Sequence, residues 1–215
     1  MPHEHGNRPH FGKSMKEAAV IVFSILVAFT LDAWWERLGV DRDIQEVLQA
    51  IRVEVNSNVV NLEGSISHHE DIRAAIGKAL QSMSSEEIHG EAVIDVEVFE
   101  PNTGALDTLV SAGLLGNIED GDLRVLLGSF AGAGGDLRER ELRAVMFRDA
   151  ARERIAAIGI PIWDSARQDR SPLYQDIEML NLLTMRNAEE RDSIESARRL
   201  LSHLSRISSR LDAVL

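Results

Sequence analysis

From Ala18 to Leu31 the chain runs 14 residues without a charge, bounded by Glu17 and Asp32. No other feature narrows the possible folds as much, because an apolar segment of this size has to be cleaved off, buried or placed in lipid. Extended to Trp35 it reaches 18 residues, about 27 Å of helix and close to the hydrocarbon thickness of a bilayer. A signal peptide needs small residues at −3 and −1 of its cut, and the candidate cut after Ala33 has Leu31 at −3. A buried core helix stays open as an alternative, since core helices and spans overlap near this length. The reading favoured by the flanks is a retained transmembrane anchor over residues 15–37, with 1–14 as a flexible tail and 38–215 as a helical bundle domain. Trp34 and Trp35 suit the interfacial aromatic belt, and acids near the two ends of a span can reach headgroups.

At about 100° per residue, Glu17, Ser24, Ala28, Asp32 and Trp35 fall on one face of that helix. Ser24 and Ala28 form a small-xxx-small pair of the kind that lets helices approach closely in lipid, so Glu17, Ser24, Ala28 and Asp32 are the expected membrane-helix interaction face. Arg8, Lys13 and Lys16 precede the span, whereas Arg37 and Arg42 follow it interleaved with Glu36, Asp41 and Asp43. The positive-inside rule then places the tail in the cytoplasm and the C-terminal domain on the exported side, periplasmic for a bacterial inner membrane.

The net charge is −12, and the first 35 residues contribute nothing to it. The acidic excess therefore belongs to the domain after the anchor, which disfavours nucleic acid and anionic headgroups as its partners. With no cysteine in 215 residues, disulfides, thiolate metal sites and a cysteine nucleophile are excluded. The length suits an anchor plus one modest domain.

No proline interrupts the chain from the anchor to Pro101, and Ile44, Leu48, Ile51, Val55, Leu62, Ile72, Ile76 and Met83 recur at helical spacing, with Asn58 and His69 in heptad positions between them. That pattern predicts a long helix with an apolar seam, weakened at Gly64 or Gly77. Ile94, Val96 and Val98 alternate with acids and suggest a short extended segment or a packed crossover. Thr103 is the expected cap of a short helix stopped by Gly116 and Asn117. A further helix begins near Asp120 and carries glycines at 128, 132, 134 and 135, where a kink or close packing is expected. Ser171 and Pro172 resemble an N-cap and N1 pair for a final helix whose seam is read as Ile177, Leu180, Leu183, Ile194, Ala197, Leu201, Leu204, Leu211 and Leu215. The expected fold is all-α: an N-terminal transmembrane helix continuing into a long helix, packed in an up-and-down bundle.

Motifs that carry chemistry are sparse. His3, His5 and His10 lie near the N-terminus, but Pro2 removes the amide that a terminal copper or nickel site requires. A di-iron bundle needs two Glu-x-x-His motifs, and only Glu86 with His89 is offered. His68 and His69 point about 100° apart and cannot share a metal. The stretch "GSFAGAGGD" lacks the lysine of a phosphate loop, and Leu137 stands where a dinucleotide fingerprint needs glycine. No cofactor, metal site or enzymatic activity is expected.

The segment "EAAVIVFSILVAFTLDAWWER" resembles the N-terminal signature of a bacterial family of small single-pass membrane proteins of unknown function, with Glu17 matching the opening acid and Asp32, Trp34 and Glu36 the closing group. "ALDTLVSAGLLGNIEDGDLRVLLGSF" is similar to that family's short helix and glycine turn. The resemblance implies architecture and no activity. The function expected is that of a membrane-anchored interaction or structural protein, partnered by the lipid bilayer and by itself or another membrane protein. The alternative is an exported sensory or small-ligand-binding bundle.

Overall fold

The computed structural model describes residues 11–82, 98–159 and 175–215, with side chains described from Val20 onward. Among them the chain is entirely helical apart from its connections. Helix α1 spans Phe11–Ser82, α2 Gly104–Ser111, α3 Gly121–Ile158 and α4 Ile177–Val214, with a 3-10 turn at Leu114–Asn117 between α2 and α3. Met1–Glu46 and Val47–Leu215 are two separate compact units. Helix α1 is unbroken at Gly64 and Gly77, and it already includes Phe11–Ser14 of the expected tail.

In the second unit the buried positions of α1 step by alternating threes and fours: Leu48, Ile51, Val55, Asn58, Leu62, Ser65, His69, Ile72, Ile76 and Ala79. Such a stripe stays on one side of a slightly underwound helix and gives it a continuous face to bury. Helix α3 repeats the step at Leu123, Leu127, Phe130, Leu137, Glu141, Ala144, Ala151 and Ile155, and α4 at Met179, Leu183, Arg186, Glu190, Ser193, Ala197, Leu200, Leu204, Ile207 and Leu211. Three such faces close on a common core. Ile72 and Ile76 of α1, Ala151 and Ile155 of α3, and Met179 and Leu183 of α4 form one of its apolar clusters.

The levels at which side chains meet fix the helix directions. Ile51 and Val55 share a small crevice with Leu127, Phe130 and Ile207, His69 meets Glu141 and Glu190, and Ile76 packs with Ile155 and Met179. Helices α1 and α3 therefore run in the same direction and α4 runs against both. This corrects the up-and-down order expected from sequence, because a parallel pair requires the chain to travel back along the bundle before α3 begins. Residues 98–103 make the last part of that return. Asn58 holds them through both arms of its amide, donating to Asn102 O and accepting from Asn102 N–H, each at 2.8 Å. Of the alternating segment, Ile94 to Glu97 lie outside the described residues, and Val98 to Asn102 have no regular secondary structure.

The start of α3 follows the sequence reading, whereas the two ends of α2 do not. Asp120 accepts from Leu123 N–H at 2.9 Å and starts α3, while Gly159 ends it in the left-handed conformation at φ 81°, where a side chain would be strained. Thr103 does not cap α2 with its side chain. Its hydroxyl donates to Asp107 at 2.8 Å, and Glu54 of α1 accepts the Ala105 N–H at 2.7 Å. Nor does α2 run to Gly116: it stops at Ser111, and Gly113 turns the chain at φ 71°. The final helix starts at Ile177 on an Asp176 cap that accepts from Met179 N–H at 2.9 Å. Ser171 and Pro172 lie outside the described residues.

The glycine-rich middle of α3 is continuous helix and does not pack tightly. A Cβ at Gly132 or Gly135 would meet nothing within 4 Å, and at Gly128 and Gly134 it would find ordinary contacts at 4.0 and 3.9 Å. Helix-interior glycine costs about 1 kcal/mol relative to alanine. The double variant Gly132→Ala with Gly135→Ala is expected to gain about 2 kcal/mol and raise the melting temperature by about 6 °C, as read by thermal circular dichroism.

Candidate functional site

In the first unit, α1 displays an apolar surface on all sides between Val20 and Leu31. Val20, Ile21, Val22, Phe23, Ile25, Leu26, Phe29 and Leu31 are each 49–69% exposed, and so are Trp34 and Trp35. Ser24, Ala28 and Asp32 lie along one side of this helix and are exposed; Glu17 is on the same helix, with its side chain outside the described set. Ser24 donates its hydroxyl to Val20 O and Thr30 to Val27 O, each at 2.8 Å. Trp34 and Trp35 meet edge to face at 5.8 Å between ring centres. Among the described residues, no helix is long and apolar enough to cross a membrane.

In the second unit, the heptad core is interrupted by one charged layer. His69, Glu141, Arg186 and Glu190 are each 0% exposed. His69 Nδ1 lies 2.6 Å from Glu190 Oε2, and Nε2 lies 3.3 Å from Glu141 Oε1. The other oxygen of Glu141 accepts the main-chain N–H of Phe99 at 3.0 Å, and the other oxygen of Glu190 accepts from Arg186 Nε at 3.3 Å. Both ring nitrogens face carboxylates, which is the arrangement of an imidazolium that donates twice. Burial alone would lower the His69 pKa, but hydrogen bonds to Glu141 and Glu190, and their charges, outweigh it and raise it from 6.5 to about 9. Arg186 is held below its ordinary value by burial, an effect opposed by Glu190 and reinforced by Arg148 and Arg152.

The layer is built for charge balance, with two cations against two carboxylates. It does not have metal-site geometry, because the two carboxylates sit at opposite ring nitrogens of His69 and cannot converge on one ion. Among the described residues, no group of His, Asp and Glu is arranged to hold a metal. His3, His5, His10, Glu86 and His89 lie outside the described residues. His68 stands beside His69 with ring centres 6.3 Å apart, and only His69 enters the core layer.

Linkage gives this layer a pH signature. The folded pKa of His69 lies above the unfolded value of 6.5, so its contribution is complete below pH 6.5, declines between there and about 9, and is absent above. A rise of that size corresponds to about 3 kcal/mol. Urea unfolding at pH 6.0 and 9.5 is expected to show a loss of about 3 kcal/mol.

The sequence reading placed His69 in the seam but found none of its partners. The signal was present in the spacing: Glu141 stands four after Leu137 and three before Ala144, while Arg186 and Glu190 continue the steps from Leu183 to Ala197. Compared as a whole, the chain matches no family model, no curated protein and no solved structure.

Proposed function

We propose that the chain is a membrane-attached helical interaction protein: residues 15–37 serve as a lipid anchor, and the bundle is a water-exposed docking body for further copies or for a membrane complex. The observation that carries this reading is the apolar exposure around the whole circumference of α1 between Val20 and Leu31. A large aliphatic or aromatic side chain gains about 1.5–3 kcal/mol on leaving water, so a helix with no polar side has lipid or an apolar partner as its stable surroundings. Satisfaction of the Ser24 and Thr30 hydroxyls within the helix suits lipid, where an unpaired donor is costly. From Val20 the uncharged run is 12 residues, about 18 Å. Ala18 and Ala19 extend it toward Glu17, and Trp34 and Trp35 supply the opposite boundary.

On this reading the basic tail stays in the cytoplasm and the acidic bundle faces the periplasm of a bacterial inner membrane. The likeness to small single-pass membrane proteins belongs to the same proposal, as do Glu17, Ser24, Ala28 and Asp32 as the face toward a neighbouring helix. Sodium carbonate extraction of membranes from expressing cells is the test. The protein is expected in the pellet and to be released only by detergent; recovery in the carbonate supernatant would reject the anchor.

A further inference from the structure

We propose that the buried charged layer is a latch on the return crossover, and that loss of the His69 proton frees residues 98–103 from the bundle while the three long helices stay packed. Glu141 is the joint between the two parts. One of its oxygens faces His69 Nε2 and the other accepts the Phe99 N–H, so the same carboxylate that balances the imidazolium also fixes the crossover.

The charged groups facing His69 are Glu141 from α3 and Glu190 from α4, with Arg186 behind Glu190; the crossover contributes the Phe99 main chain. A neutral imidazole keeps one N–H. At 2.6 Å the Glu190 contact is the shorter and retains it, which leaves the bare Nε2 lone pair against Glu141. Glu190 still has Arg186. Glu141 then has no cation among the described residues, and a buried carboxylate without one is strongly disfavoured.

Relief comes from admitting water, and the crossover is the element that can yield most cheaply. Its polar ties to the bundle are the Phe99 N–H on Glu141, the amide pair of Asn102 with Asn58 and Asn102 Nδ2 donating to Ser57 Oγ, with Ala105 on Glu54 just beyond, and Phe99 is its one buried side chain. The helices, in contrast, are held by apolar layers along their length. Local opening of a weakly held segment below the global unfolding energy is ordinary behaviour for a folded chain.

Hydrogen exchange of the full chain in detergent micelles tests this, with protection factors corrected for intrinsic exchange at each pH. Protection of the Phe99 and Asn102 amides is expected to fall more than tenfold further between pH 7.5 and 10 than that of the core amides at Ile76, Ile155 and Leu183, which follow the global stability. Retained crossover protection at pH 10.5 would overturn the proposal, and so would an equal fall at the crossover and at the helix core amides. In Glu141→Gln the amide oxygen still accepts from Phe99 but carries no charge, so crossover protection is expected to become independent of pH. A fall equal to wild type in that variant would equally reject the latch. If it fails to fold, the wild-type profile decides alone.

Discussion

Replacing His69 with alanine is expected to lower the unfolding free energy by about 4 kcal/mol, the scale for removing one partner from a buried ionic cluster. The loss arises from what remains. Glu190 would keep Arg186, Glu141 would have no cation among the described residues although both carboxylates are 0% exposed, and a gap would open where the imidazole had been. Removing all four groups together has a different outcome: His69→Leu, Glu141→Leu, Glu190→Leu and Arg186→Met are expected in combination to be near neutral or stabilising, since apolar replacements of similar volume avoid the desolvation cost. Equilibrium urea unfolding in detergent measures both variants. A loss under 1 kcal/mol for the single alanine would show that the layer is not coupled through charge.

Leu26→Arg is expected to move the protein out of the membrane pellet. An arginine at the centre of an inserted helix costs about 3 kcal/mol, roughly 150-fold in partition, and this apolar run has little length to spare. Leu26 is 58% exposed in the structure, so the substitution removes little packing within the chain and the urea midpoint should stay put. Leu142→Arg on α3, at a site 45% exposed, is the control and is expected to remain in the pellet. Equal retention of both variants would argue that lipid does not surround the N-terminal stretch.

What could be read from the sequence depended on whether burial and hydropathy agreed. Along α1 they do: Leu48, Ile51, Val55, Leu62, Ile72 and Ile76 are apolar and buried, and the seam was evident. Along α4 they diverge. A seam traced through apolar residues took in Ile177, which is 74% exposed, Leu180 and Leu215, and passed over Arg186, Glu190 and Ser193, which are fully buried. Charged residues read as solvent-facing unless a partner is known, and here the partners lie on other helices up to 121 positions away. The crossover was read only as one of two alternatives, and its anchoring residues were hidden for a related reason. Glu54, Asn58 and Glu141 hold main-chain groups, which leave no trace in the residue types of the segment they bind. The glycines of α3 misled in the opposite sense, because interior glycine lowers helix propensity without requiring a break.

The parallel arrangement of α1 and α3 also orders events during synthesis. His69 cannot meet Glu190 until 121 more residues have been made, about 6–24 s at ordinary rates of translation. Over that interval the stripe from Leu48 to Ala79 is out of the ribosome with no α4 to cover it, whereas α3 and α4 emerge in succession and can pair as soon as both exist. The N-terminal helix, as the first made, therefore waits longest for its full set of neighbours.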